Sequence, residues 1–382
     1  MRARLPIAVG SLAVLAGCGL RLPLPTETRA GRAIPPDKSY QMLATWTGMD
    51  GIADALLTQG TGSQLFLLFN HGGTGAAPRG EIRAYPLTRP TPVAGIDFPT
   101  LFNPVAMCSA PGRVFVLDLG DSCLARLNPA TGRCDSSRGW NHRITDLSKY
   151  WRVREYGLLG GDTISTFTDT TMLFVRGVAA DAQGRVYVAG TAVIYVVDPQ
   201  SSRLISRSQQ YRVYRYARGP RYPGVTPPDR NMPGANWHRD TTWIVEEGSG
   251  IGTLVDPRGM TWSAAGGAAL YAADLGKNWV QKLSDQSSST GFFQLDGGQT
   301  GTGFNGPTDV AVDLAGFIYV ADTGNRRVLR YGLDGAYIQL VNVERDADGE
   351  ELQVPAAVAA DDSLVYVGDS QTGKVVRYKR RS

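Results

Sequence analysis

One spacing recurs along this chain and limits its fold more than any other feature. An aromatic residue stands three places before an aspartate: Phe115 before Asp118, Tyr271 before Asp274, Tyr319 before Asp322 and Tyr366 before Asp369. Six places after each aspartate an apolar residue opens the next run, at Leu124, Val280, Val328 and Val375. A proline stands ahead of the first run in the same four copies, as Pro104, Pro257, Pro307 and Pro355. A fifth copy carries Tyr187 three places before Gly190, where the aspartate is lost and a shortened turn is expected. A sixth, degenerate copy spans Gly51 to Leu87, with runs at Gln64–Asn70 and Glu81–Tyr85 around the glycine-rich His71–Gly75.

The sharpest copy, Gly303 to Gly335, shows what each unit is. Val310–Asp313, Phe317–Asp322 and Val328–Tyr331 are short apolar runs separated by Ala315-Gly316 and Thr323-Gly324-Asn325 and closed by Asp334-Gly335, the pattern of three antiparallel strands joined by tight turns. Three such strands cannot bury enough apolar surface alone, so the copies must pack on one another. The segments between units supply a fourth strand, as in Tyr337–Val343 and Gly291–Leu295. Six units of four strands predict an all-β fold, a six-bladed β-propeller. The last copy stops after its third strand, Lys374 to Tyr378, and Ser39–Thr47 has the pattern of the missing fourth. The ring is therefore expected to be closed by an N-terminal strand, which removes an open sheet edge.

Pro307–Asp313, Ile318–Asp322 and Asn325–Val328 together resemble an NHL repeat, closely in this unit and more loosely over Gly48 to Tyr378. In the unit at Pro257, Asn278 is kept but Trp279 replaces the basic residue, and the unit at Pro355 has Thr372-Gly373-Lys374 instead. The resemblance implies structural roles for Asp118, Asp274, Asp322 and Asp369, each binding amides of the turn that follows. It implies packing between blades for the aromatics three places earlier. Peptide-amidating lyases resemble such propellers but need a histidine metal site, and His71, His142 and His238 lie in different units with no HxH, HxxxH or CxxC spacing. No metal ligands or cofactor are assigned from the sequence. A metal on the propeller axis, calcium for example, held by acids and amides at the strand entrances, is the one the fold leaves open.

Arg2 and Arg4 precede an apolar run, Leu5 to Ala16, that is too short to span a bilayer and ends in Leu15-Ala16-Gly17-Cys18. This resembles a bacterial lipoprotein signal, which implies cleavage before Cys18, lipidation of its thiol and export. Gly19 follows where retention at the inner membrane usually wants aspartate, which implies the outer membrane, facing the periplasm or the cell surface. The expected organisation is a signal peptide at 1–17, a lipidated cysteine and proline-rich tether at 18–37, and the propeller at 38–382. Exported chains keep disulfides. Cys123 and Cys134 flank the turn Asn128–Gly132 and are the expected pair, with pairing to Cys108 the alternative; Cys108, in an apolar run, is then an inert core thiol.

Rigid scaffolds carry their sites on interruptions. One interruption runs from Cys134 to Thr171, with an outer strand expected within Lys149–Tyr156 and a long crossover from Gly160 to Met172. The other, Arg203 to Arg239, holds eight arginines, no lysine and the single acid Asp229. Arg212, Arg215, Arg218 and Arg221 interleave with Tyr214, Tyr216, Tyr222 and Trp237, a set suited to planar anionic or polar partners through bidentate bonds and stacking. The competing reading is a solvated outer strand whose arginines lie over tyrosines. The sequence thus points to an envelope-anchored, non-catalytic scaffold that binds a protein or an anionic glycan and no nucleic acid. A hydrolase or lyase with an axial metal, and a structural subunit of an envelope complex, are the alternatives.

Overall fold

The computed structural model describes residues 40–381 apart from 59–62, 73–78, 120–150, 170, 199, 202–203, 219–236, 285–292, 298–300, 343 and 345–348. Cys18, Cys123, Cys134 and His142 lie outside the described residues. The described residues begin with β1 (Tyr40–Trp46), and the first blade is built from β2 (Ile52–Leu57), β3 (Gln64–Asn70) and β4 (Gly80–Pro86). The outer edge of that three-stranded sheet is covered by an irregular segment, through Val93 N–H to the Ala84 carbonyl and a bridge between Gly80 and Leu101. The second blade is β5 (Pro104–Ala110), β6 (Arg113–Asp118), β7 (Arg152–Gly157) and β8 (Gly160–Phe167). The third is β9 (Met172–Ala180), β10 (Val186–Val197), β11 (Leu204–Arg218) and β12 (Trp237–Glu246). The fourth is β13 (Pro257–Ser263), β14 (Ala269–Asp274), β15 (Trp279–Ser284) and β16 (Phe293–Leu295). The fifth is β17 (Pro307–Val312), β18 (Ile318–Asp322), β19 (Arg327–Tyr331) and β20 (Tyr337–Leu340).

The sixth blade combines β21 (Pro355–Ala360), β22 (Leu364–Asp369) and β23 (Lys374–Arg380) with β1, which pairs antiparallel to β23 from Tyr40 opposite Arg380 to Trp46 opposite Val375. The expected closing strand is there. Trp46 is buried between Tyr85 of the first blade and Tyr366 of the sixth, with ring centroids 5.7 and 5.8 Å away. The six first strands, β2, β5, β9, β13, β17 and β21, each contact the next and close the ring around an axis. All six hydrophobic clusters draw on neighbouring blades, because each sheet has two apolar faces that only adjacent blades can cover.

The repeat motif does two jobs. Phe115, Tyr187, Tyr271, Tyr319 and Tyr366 are all fully buried between blades, and three of them also bond polar partners: Tyr187 and Tyr319 donate to Asp181 and Asp313, and Tyr366 donates to the Leu87 carbonyl. The aspartates sit opposite the opening prolines, Pro104 with Asp118, Pro257 with Asp274, Pro307 with Asp322 and Pro355 with Asp369. Their amide partners differ from expectation. Asp118 accepts from Phe102 and Asn103, Asp274 from Val255, and Asp322 from Asn305, all in the segment entering the first strand. Asp369 binds both that segment (Gln353, Val354) and the following turn (Gln371, Thr372), and Asp274 and Asp322 also reach the following turn, through Lys277 N–H and the Asn325 amide. The aspartate thus ties the end of one strand to the start of its neighbour.

Where that aspartate is lost, the turn is displaced rather than shortened. β10 runs through Gly190 to Val197, and its hairpin with β11 extends to Val197 opposite Leu204. Without a carboxylate to capture amides at Gly190, nothing ends the ladder there. The two interruptions are blade strands: β7 and β8 complete the second blade, with the crossover confined to 168–171, and β11 and β12 are the outer strands of the third.

Candidate functional site

Each first strand breaks register, between Ile52 and Asp54, Pro104 and Ala106, Leu173 and Gly177, Pro257 and Met260, Pro307 and Asp309, and Pro355 and Ala357. The residue at this break in four of the six blades is small: Ala106, Gly177, Gly259 and Ala357. The reason is steric. A Cβ at Gly177 would lie 2.2 Å from the Arg258 carbonyl oxygen, and one at Gly259 would lie 2.3 Å from Asp309 Oδ1. The other two blades place Asp54 and Asp309 here. Asp54 accepts from its neighbour Ala55 N–H (2.7 Å) and, across the gap between blades, from Met107 N–H (2.7 Å). Asp309 repeats the arrangement with Val310 N–H (2.8 Å) and Val358 N–H (2.7 Å). Each carboxylate therefore clamps its strand to the next one around the axis.

These two groups also feel each other. Burial pushes the Asp54 carboxyl up to about 7, against the pull of its two amide donors. Asp309 is raised well above the ordinary aspartate range, first by burial and then by the charge of Asp54. The pair consequently retains a proton near neutral pH. Burial, and then the charge of Asp54, raises the Cys108 thiol well above its ordinary value, so this free cysteine stays protonated and unreactive.

Asp54 and Asp309 stand at one end of an axial cavity of about 490 Å³. It runs to the turns that end the first strands, where the exposed residues Pro111, Ala182, Ala264 and Leu314 form its rim. Among the described residues its charged lining is all aspartate, Asp54, Asp181, Asp309 and Asp313, with no lysine, arginine or histidine. Asp181 is neutralised by Arg185 (2.5 Å), and Asp313 accepts from Phe317 N–H and the Tyr319 hydroxyl. Met107, Met260 and Trp262 supply apolar wall, and the Trp262 Nε1 donor is buried without a hydrogen-bond partner. Among the described residues no three of His, Cys, Asp and Glu converge as a set of metal ligands.

The arginine- and tyrosine-rich strands turn most of their candidate residues inward. Arg215 forms a buried ion pair with Asp240 (2.5 Å) and lies 5.7 Å over the Trp243 ring. Arg212 pairs with Glu246, and Arg218 pairs with buried Glu155 while stacking 5.1 Å over Trp237. Tyr214 is buried beneath Arg239, whose Cζ is 4.6 Å from its ring, and the Tyr216 hydroxyl donates to Asp169. Trp237 is buried against Phe167 at 4.7 Å and donates from Nε1 to Ser165. Arg221 and Tyr222 lie outside the described residues. The other polar candidates are dispersed: His71 stacks on Phe69 and bonds Glu81 in the first blade, and His238 is in β12 of the third. Glu247 accepts from Tyr211 N–H.

Asp54 and Asp309 carry no motif that marks them in the sequence. Their signal is a column: the residue two places after each opening proline is small except at Asp309, and Asp54 occupies the same place after Ile52.

Residues 304–331 match the NHL repeat family. No curated protein is similar to the chain. Among solved structures, the chain resembles a protein of unknown function from Bacteroides caccae, at 12% identity over 83% of each chain with a TM-score of 0.37. It also resembles the PQQ-bound form of an aldose sugar dehydrogenase from Streptomyces coelicolor, at 14% identity over 89% of this chain and 98% of that one with a TM-score of 0.44. Both likenesses are distant.

Proposed function

We propose that this propeller is an exported, lipid-anchored binding protein whose ligand is a small organic cation taken up in the axial cavity. One observation carries the reading: a cavity of about 490 Å³ whose charged lining is entirely acidic, in a chain with 39 basic and 35 acidic residues. Buried charge of one sign is stabilised by a counter-charge, and Asp54 and Asp309 are the two wall acids bonded, among the described residues, by backbone amides alone. Their oxygens are held in place by four backbone amides, which leaves a second lone pair on each for an ammonium donor. Trp262, Met107 and Met260 offer the aromatic and thioether surface on which alkylammonium groups settle. A metal ion would need more ligands than this pair supplies. The reading is of binding, since among the described residues the wall holds no histidine and its one thiol is kept protonated.

The Leu15–Cys18 sequence supports export and anchorage through Cys18. A protein or anionic glycan held by the arginine-rich strands is the less favoured reading, because Arg212, Arg215 and Arg218 already engage Glu246, Asp240 and Glu155. The test is calorimetric titration of the protein with tetramethylammonium and putrescine at about pH 8 and about pH 5.5. Binding that weakens about tenfold or more in Asp309→Asn and at the lower pH supports the proposal. Equal affinity in the variant and the parent, or binding of neither cation, refutes it.

A further inference from the structure

The seam between the fifth and sixth blades contains a buried guanidinium that, among the described residues, forms no ion pair. Arg330 of β19 is only 4% exposed. Its Cζ lies 3.7 Å from the centroid of the Phe317 ring and 5.8 Å from that of Tyr319. Among the described residues neither its Nε nor its Nη2 has a hydrogen-bond partner, and both are sealed from solvent. Directly across the ladder stands Gln339 of β20, also 4% exposed, whose Nε2 lacks a partner as well. Cross-strand partners share one face of the sheet with their side chains about 5 Å apart. Donors from two adjacent side chains therefore occupy one sealed seam, and none of them has found an acceptor.

The surrounding groups do not resolve this. The acid that reaches Arg330 electrostatically is Asp313, and its two oxygens accept from Phe317 N–H and the Tyr319 hydroxyl. Tyr319 shares its hydroxyl with that of Tyr40, 3.0 Å away in the closing strand β1. The Phe317 face attracts the cation from above its plane, but the N–H groups of a guanidinium lie in the plane. Nε–H and Nη2–H form one edge, two parallel donors that fit a single acceptor group placed between them. Buried charges and buried donors in folded chains have partners. These donors call for an acceptor that carries negative charge to match the guanidinium.

We propose that a small inorganic monoanion, chloride under ordinary ionic conditions, binds in this seam between the Nε/Nη2 edge of Arg330 and Nε2 of Gln339. Because these atoms are out of contact with solvent, the ligand is a compact ion enclosed between the fifth blade and the strand that closes the ring. Binding there favours the closed ring over any state in which β1 has left, and so raises the melting temperature with ligand concentration. This site is independent of the axial cavity.

The experiment has two arms on the full chain. In the first, melting curves are recorded with chloride raised at constant ionic strength, gluconate making up the difference. The melting temperature of the parent rises with chloride, that of Arg330→Met does not, and Gln339→Leu needs about tenfold more chloride for the same rise, as expected for loss of one bond to a charged partner. Gln339→Leu keeps the guanidinium and serves if Arg330→Met fails to fold. In the second arm, a crystal soaked in bromide is examined for anomalous scattering. A peak at hydrogen-bond distance from Arg330 and Gln339 supports the site. Water in that place, or the same chloride response in the parent and in both variants, overturns it.

Discussion

Replacing Asp54 by asparagine isolates the electrostatics of the axial pair. In the folded chain the Asp54 carboxyl is moved from the ordinary 3.8 up to about 7 by burial. At about 1.4 kcal/mol per tenfold change, ionising it in place costs about 4 kcal/mol. The direction of the pH effect follows from which state holds the proton. Below the ordinary value both folded and unfolded chains are protonated and the group contributes no pH dependence. As pH rises from there toward about 7, the unfolded chain has released its proton while the folded chain keeps it, so stability falls; above that pH the loss is complete. Asp309 acts in the same direction, and its own rise owes part to the charge of Asp54. The asparagine variant removes the first contribution and relaxes the second. It also sets an amide NH₂ against one of the backbone donors, Ala55 or Met107, which lowers absolute stability at every pH by about 1–3 kcal/mol. The readout is therefore the slope. Urea unfolding followed by tryptophan fluorescence at about pH 4 to about pH 8 should show the parent losing several kcal/mol more than the variant over that interval. Parallel pH profiles, with a constant difference between parent and variant, would refute the placement of a strained carboxylate on the axis.

Trp46→Ala, which opens the closing seam between Tyr85 and Tyr366, should cost about 3–5 kcal/mol in chemical denaturation, and a loss below about 1 kcal/mol would show that β1 is not needed to hold the ring. Arg215→Met leaves Asp240 buried without its partner and should destabilise by about 3–5 kcal/mol, whereas an arginine serving only an external partner would leave the melting temperature untouched. Gly177→Ala forces a methyl against the Arg258 carbonyl, for which about 1–3 kcal/mol or more is expected; a neutral result would mean that adjacent first strands are farther apart than described. Cys108 should resist alkylation by iodoacetamide in the folded chain and react at once in urea, and ready modification without denaturant would contradict its burial.

The scaffold was legible because its constraints are local. An aromatic three places before an aspartate, with a proline ahead of the first strand, fixes strand ends and a turn within about thirty residues, the scale on which turn chemistry acts. Closure was legible for the same reason: the strand lacking at Lys374–Arg380 has its complement at Tyr40–Trp46. What escaped depended on pairs distant in sequence. Arg215, Arg218 and Arg212 read as a free basic stripe, but their partners Asp240, Glu155 and Glu246 come from other strands, in the case of Glu155 from a different blade. The backbone amide that holds Asp322 is that of Asn305, ahead of the first strand rather than in the following turn, which spacing alone does not distinguish. Asp54 and Asp309 went unread because a single polar residue in a column of small ones looks like noise until the ring places that column on the axis.

The closing strand also has a mechanical meaning. Any segment preceding Tyr40 joins the propeller at the end of β1 that lies beside Arg380, and the sixth blade is the one sheet built from both ends of the chain. Tension along the axis of β1 is shared by all its rungs with β23, while a sideways pull is taken rung by rung, beginning at Tyr40 and its hydroxyl contact with Tyr319. The first strand of this blade, through Val358, Ala359 and Ala360, is also part of the cavity wall. A chain held at its N-terminal side is therefore loaded at the seam that joins its two ends, and the direction of that load decides whether the wall of the axial cavity holds.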